Sequence, residues 1–205
     1  MTDVYMEEGS KRVFACAVEW PGWCRAGKTE DAALEALAAS APRYGVIAKQ
    51  AGMPFDVKTA AKFTVKERLP GSMTTDFGAP SSIAEGDRKA LSGKEAARQA
   101  ALMDASWKVF DRVIKKSPAT LRKGPRGGGR DRDDIARHVI EAEDMYARKI
   151  GLRIPDDAKR RTAMLEAVRS GPGEIPEKGW PMRYAVRRIA WHVIDHAWEI
   201  EDRSQ

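Results

Sequence analysis

The sequence predicts an α+β fold, with a small sheet in the first third of the chain and four helices in the second half. Three observations support this prediction. Apolar residues alternate with a period of two in segments 3–8, 12–20 and 62–69. They recur at three- and four-residue spacings from residue 94 onward, and a stretch rich in Gly, Ser, Thr and Pro, residues 69–93, separates the two patterns.

The composition bounds the class of protein. A hydrophobic share of 42% with 32% charged residues is typical of globular proteins. The N-terminus MTDVYMEEGS has no basic region followed by an apolar run, and no stretch approaches the roughly 18 apolar residues of a membrane span. We therefore expect a cytoplasmic protein without a membrane segment. Cys16 and Cys24 have no second pair, which argues against a disulfide framework and a four-cysteine zinc site.

The first element is a predicted β-hairpin. DVYMEE and RVFACAVEW are rich in β-branched and aromatic residues, and GSK between them is a suitable turn. In the second strand Phe14, Cys16, Val18 and Trp20 share one face, while small apolar residues occupy the other. Such a strand is expected to be covered on both faces.

A turn, a helix and a closing strand follow the hairpin. PGWCRAG breaks the strand pattern, and KTEDAALEALAASAPRYGVIAKQAG is predicted to form one helix. Thr29 is a good N-cap, and Glu30 and Asp31 place negative charge where the helix dipole favours it. KFTVKERL returns to alternation, so residues 1–70 are predicted to form a ββαβ unit.

This first unit resembles the HicB-like small α/β fold. The resemblance lies in the strands that lead through PGWCRAG to the helix KTEDAALEAL. It implies a domain, residues 1–70, that binds a protein partner. No DNA-binding helix-turn-helix follows, so the repressor role of some HicB antitoxins is not implied.

The remaining chain is predicted to be a linker, residues 71–93, and a four-helix bundle, residues 94–205. The four helical segments are KEAARQAALMDASWKVFDRVIKK, DRDDIARHVIEAEDMYARKIG, DDAKRRTAMLEAVRSG and MRYAVRRIAWHVIDHAWEIEDR. The third is expected to stop at Gly171 and Pro172.

The only three histidines of the chain lie on two of these segments. His192 and His196 are four residues apart, so their imidazoles share one helix face. His138 lies in an apolar stripe with Ile135 and Val139 and is expected to face the bundle interior. If the two helices are neighbours, all three imidazoles converge on one ion; the alternative is that the histidines are core or surface filler.

This pattern resembles the DinB-like family, also called YfiT-like metalloenzymes. In that family one His on the second helix and an H-x3-H on the fourth bind a divalent metal inside a four-helix bundle. The matching residues are His138 in ARHVIEAE and His192 and His196 in WHVIDHAWEIEDR. The resemblance implies a metal-dependent transferase, isomerase or hydrolase that acts on a small-molecule substrate with a low-molecular-weight thiol. Three neutral imidazoles leave open positions on Zn²⁺ or Ni²⁺, as a catalytic centre requires.

Several polar residues are secondary candidates. Four carboxylates one turn from the histidines are candidates to orient an imidazole, with solvated surface positions as the alternative: Asp134, Glu141, Asp195 and Glu199. Three arginines near the start of the last helix would line a pocket mouth or a solvated face: Arg183, Arg187 and Arg188. Trp191 would wall the pocket or pack in the core. The loop RKGPRGGGRDRDD would hold a phosphate or nucleic acid, or serve only as a connection.

Three functions remain open from the sequence. The first is the metal-dependent enzyme. The second is a non-catalytic module in which a HicB-like domain binds a protein partner and the bundle is structural or forms a homodimer. The third, nucleic-acid binding, is favoured only by the net charge of +6 and is not expected.

Overall fold

The computed structural model describes residues 1–124, 127–171 and 177–204, and it shows a mixed α+β protein. A four-stranded sheet occupies the first 70 residues, and a helical region follows it. The predicted fold class is therefore confirmed at this level. No helix within these ranges is long and apolar enough to cross a membrane.

The sheet has the strand order β3-β2-β1-β4. Its strands are β1 (Thr2–Glu8), β2 (Val13–Ala17), β3 (Cys24–Gly27) and β4 (Phe63–Pro70). β1 pairs with β2 in antiparallel fashion, with Tyr5 opposite Cys16, and it pairs with β4 in parallel fashion. The strands predicted in segments 3–8, 12–20 and 62–69 are present.

The predicted ββαβ order is wrong in two places. The first is β3, which lies in the PGWCRAG stretch that we expected to be only a turn. Gly22 has a φ of +85°, and this conformation lets the chain reverse after Pro21 and return beside β2. Four residues are too few for an alternating pattern to be visible in the sequence.

The second error concerns the helix predicted from KTEDAALEALAASAPRYGVIAKQAG. It is two helices, α1 (Glu30–Ala39) and α2 (Ala41–Gln50), which meet at Ser40. Pro42 lies in the first turn of α2, where it is tolerated, but it has no N–H with which to continue α1. A short helix, α3 (Val57–Ala60), precedes β4. The predicted cap is present, because the Thr29 hydroxyl accepts a hydrogen bond from the Ala32 N–H.

The predicted linker carries structure of its own. It contains the helix α4 (Met73–Phe77) and a 3-10 turn, Glu85–Arg88. The buried carboxylate of Glu7 on β1 accepts hydrogen bonds from the Thr75 hydroxyl and the Ser81 N–H, which fasten this segment to the sheet. The division into two folding units at residues 71–93 stays a prediction.

Four long helices complete the protein. They are α5 (Gly93–Lys116), α6 (Arg132–Lys149), α7 (Asp157–Ser170) and α8 (Met182–Arg203). α5 packs on α8 and α7, and α6 also packs on α8 and α7. All four predicted helices are thus present. α7 ends before Gly171, which has a φ of +84°, whereas Pro172 lies outside the described residues.

The sheet and the long helices contribute to one hydrophobic core. This core joins Val4 and Met6 of β1 to Tyr44 of α2 and Ile189 of α8. The turn at Gly22 lies directly against α8, where a Cβ atom would stand within 2.9 Å of Ala190 atoms. α8 therefore contacts both the sheet region and α6, and it carries two of the three histidines.

Candidate metal centre

Two helices bring the three histidines together. α8 is buried along most of its length, and its side chains at positions 192 and 196 face α6, from which His138 extends. One nitrogen of each imidazole lies within 4.8 Å of the corresponding nitrogens of the other two. The Nε2 atoms of His138 and His192 are 3.2 Å apart. The convergence that the sequence predicted is present.

The three imidazoles differ in exposure. His192 is 7% exposed, whereas His138 and His196 are partly open to solvent. Apolar residues of both helices back the cluster, including Ile135, Val139 and Val193, which are fully buried. The cluster thus has a dry inner side at His192 and an accessible edge at the other two rings.

Burial holds the inner histidine in its neutral form. Loss of hydration lowers the pKa of His192 to about 2, and the neighbouring imidazoles of His196 and His138 act in the same direction. The pKa of His138 is also lowered, first by burial and then by the charge of His196. Neutral imidazoles keep a lone pair, which is the form that binds a metal ion.

Glu199 orients one of the rings. Its Oε2 lies 2.9 Å from Nδ1 of His196, and its Oε1 accepts a hydrogen bond of 2.6 Å from Arg203. The hydrogen bond with His196 is the main reason that the pKa of Glu199 is lowered. When Nδ1–H donates to this carboxylate, Nε2 of His196 carries the free lone pair. Carboxylates commonly orient metal-binding histidines in this way.

The other three carboxylates do not contact the histidines. Asp195 forms an ion pair of 2.8 Å with Arg25 on β3. Asp134 pairs with Arg137 at 3.1 Å on the exposed face of α6. Glu141 acts on His138 only through its charge, which opposes the lowering of the pKa. Of the four candidates, only Glu199 has the predicted orienting contact.

The cluster fits a divalent transition metal. Two nitrogens bound to one Zn²⁺ in tetrahedral arrangement, each at about 2.0–2.1 Å, stand about 3.3 Å apart. The 3.2 Å between Nε2 of His138 and Nε2 of His192 is close to this value. Nδ1 of His192, on the other edge of this ring, is buried without a hydrogen-bond partner among the described residues, so no group there orients His192 as Glu199 orients His196. An all-imidazole set suits Zn²⁺, Ni²⁺ or Cu²⁺ better than Mg²⁺ or Ca²⁺.

An aromatic wall lies beside His192. Tyr146 of α6 packs edge-on against His192, with ring centroids 5.6 Å apart, and Trp180 packs against Tyr146 at 5.1 Å. Tyr146 follows His138 by eight residues, and helical spacing predicts that both lie in one stripe of α6. The position of Trp180 depends on the chain between α7 and α8 and has no local signal.

Trp191, the predicted wall residue, has a mainly structural position. Its ring packs edge-on against Phe14 of β2, with centroids 6.2 Å apart, and it is 6% exposed. It borders His192 at 6.3 Å. Trp191 therefore joins the sheet to the back of the histidine cluster.

The three arginines of α8 have three different environments. Arg187 is buried and forms an ion pair with Asp87, which is also buried. Arg183 pairs with Glu95 at 2.8 Å and donates to the Lys89 carbonyl. Only Arg188 lies beside the histidines, where its charge helps to lower the pKa of His192. The three arginines thus do not share one environment, and a role at a pocket mouth stays a prediction.

The basic loop before α6 passes near the cluster. The charge of Arg130 contributes to the lowered pKa of both His138 and His192. Arg132 instead pairs with Asp133 at 2.8 Å and donates to the Ser117 carbonyl. Arg126 lies outside the described residues. Binding of phosphate or nucleic acid by this loop stays a prediction.

Comparison of the chain with models of protein families, with curated proteins and with solved structures finds no match in any of the three.

Proposed function

We propose that this chain is a metal-dependent enzyme of the DinB-like type, in which His138, His192 and His196 hold one divalent ion, Zn²⁺ or Ni²⁺. The observation that carries the proposal is the convergence of the only three histidines, from two helices, to within 4.8 Å. For a DinB-like enzyme we propose a small-molecule substrate and a low-molecular-weight thiol as co-substrate. The reaction class is transfer or isomerisation of a thiol adduct.

The residues around the three histidines would have different roles in such a site. A bound Zn²⁺ or Ni²⁺ supplies a Lewis acid that lowers the pKa of a thiol or water. Glu199 holds the ring of His196 in one orientation through its Nδ1. Ile135, Val139 and Val193 exclude water from the inner side. The partly exposed edge at His138 and His196 is where a substrate approaches.

We also propose that residues 1–70 form a HicB-like domain. The support is a sheet that leads through the turn at Pro21 and Gly22 to a helix capped by Thr29. This region shares its hydrophobic core with α8. We therefore propose two roles for it: it supports the helix that carries His192 and His196, and it binds a protein partner.

The decisive experiment is the metal content of the protein purified without a histidine tag. We expect close to one Zn²⁺ or Ni²⁺ per chain after exhaustive dialysis, measured by inductively coupled plasma mass spectrometry. His138→Ala, His192→Ala and His196→Ala should each lose the metal while circular dichroism shows that helical content is retained. Asp195→Asn is the matched control, since this residue lies on the same helix but pairs with Arg25 away from the cluster.

The alternative is the non-catalytic module with structural histidines. It would gain support if wild type retained no metal and failed to bind added Zn²⁺ or Ni²⁺. Folded single-histidine variants that keep a full equivalent of metal would contradict the shared site. The thiol step is tested separately, by following transfer of glutathione or cysteine to a chromogenic electrophile in metal-loaded and chelator-treated protein.

A further inference from the structure

One face of α8 carries a regular row of polar and aromatic side chains. Tyr184, Arg188, His192 and His196 follow one another at intervals of four residues, so each lies about one turn, roughly 6 Å, from the next. Arg188 is therefore the neighbour of the innermost histidine on this face. It is half-buried, whereas Tyr184 at the end of the row is buried.

Aromatic rings enclose the guanidinium of Arg188. Its central carbon lies 4.8 Å from the ring centroid of Trp191 and 5.9 Å from that of Tyr146. Its Nη1 donates a hydrogen bond of 3.1 Å to the Pro80 carbonyl. The guanidinium also contacts the Tyr146 hydroxyl as a hydrogen-bond partner. Since an arginine has five N–H donors in one plane, these two contacts leave further donors without an acceptor among the described residues.

Arg188 also lacks a counter-charge. Within the ranges that the structure describes, no carboxylate oxygen lies within 4.0 Å of its guanidinium, whereas Arg183 pairs with Glu95 and Arg187 pairs with Asp87. None of its nitrogens is buried without a hydrogen-bond partner, so its remaining N–H groups are open to water or to an external acceptor. The charge of Arg130 also acts on His138 and His192, and a positive surrounding of the cluster favours an anionic partner.

The shape of the surroundings favours a carboxylate. The rings of Trp191 and Tyr146 lie near the guanidinium and favour approach along its edge. The edge presents two parallel N–H groups, and a planar carboxylate matches this arrangement with two hydrogen bonds.

We propose that Arg188 binds a carboxylate group of the substrate, so that the three-histidine cluster acts on a small organic acid. This inference rests on the proposed function, because it places the reacting atom of the acid at the histidines, about one helical turn from Arg188. Arg188 is then the residue that selects anionic substrates. Tyr146, which contacts both Arg188 and His192, forms the wall between the carboxylate and the reacting end.

The test is isothermal titration calorimetry with succinate as the probe, on metal-loaded and on chelator-treated protein. We expect saturable binding at millimolar concentrations in both, because Arg188 is not a metal ligand. Arg188→Met should weaken binding about tenfold or more through loss of a bidentate charged contact. Arg188→Lys, which keeps the charge without the fork, should recover part of the affinity. Arg183→Met is the matched control, since this arginine already pairs with Glu95.

Three results would overturn the inference. The first is unchanged succinate binding in folded Arg188→Met protein, or no binding by wild type. The second is equal binding of the neutral diamide succinamide. The third is binding of inorganic phosphate as tightly as succinate, which would exclude a carboxylate-specific site. Metal content separates these failures from a failure of the proposed function. Metal-loaded wild type that does not bind succinate contradicts only the role of Arg188. Protein that binds succinate but never binds metal contradicts the proposed metal-dependent enzyme.

Discussion

The buried, neutral state of His192 predicts a specific acid sensitivity of the metal-free protein. An unfolded histidine titrates near 6.5, whereas burial lowers the pKa of folded His192 to about 2. At a pH between these two values His192 is protonated in the unfolded chain and neutral in the folded protein. The free energy of unfolding therefore falls as the pH decreases. From about pH 7 to about pH 5 the loss due to this residue is about 2 kcal/mol, and any folded pKa below about 4 gives nearly the same result.

The assay compares wild type with His192→Gln, whose side chain does not titrate, by urea denaturation of chelator-treated protein at the two pH values. We expect wild type to lose about 2 kcal/mol more than the variant, with the remaining acid sensitivity common to both. Asp195→Asn is the control on the same helix, because this side chain pairs with Arg25 and does not contact the histidines. A difference under about 0.5 kcal/mol would refute the burial of a neutral imidazole at this position.

Three further predictions concern the framework around the site. Asp87→Asn or Arg187→Met alone should lower the free energy of unfolding by about 3–5 kcal/mol in urea titrations, and the double variant by less than the sum, because each single change leaves a buried charge unpaired. Gly22→Ala should cost more than about 2 kcal/mol and lower the melting temperature, since it combines a φ of +85° with atoms of α8 within 2.9 Å of the new methyl group. Limited chymotryptic digestion should cut first within residues 69–93, near Phe77, which is 87% exposed; initial cutting inside α6 would argue against the predicted boundary.

The sequence predicted features that depend on regular spacing within one element. The four long helices follow from apolar periodicity, and the common face of His192 and His196 follows from a separation of four residues. β3 was missed because four residues show no alternation, and its formation depends on Gly22 and on pairing with β2. The break at Ser40 had a signal in Pro42, which has no N–H to continue α1, but the apolar spacing runs on across it and favours one helix.

The roles of Arg187 and Arg188 show why spacing within a helix cannot assign a site. They are adjacent on α8 and identical in type, yet a helix turns about 100° per residue, so they face different neighbours. Arg187 meets Asp87 from the segment before α5 and becomes part of the core. Arg188 meets rings from α6 and α8, with the Pro80 carbonyl as an acceptor, and no carboxylate of the described residues pairs with it. The difference arises from residues 80–87, which lie about a hundred positions earlier in the chain. The same segment thus supplies a carboxylate to Arg187 and only a carbonyl to Arg188, and on this difference rests our proposal that one arginine serves stability and the other substrate selection.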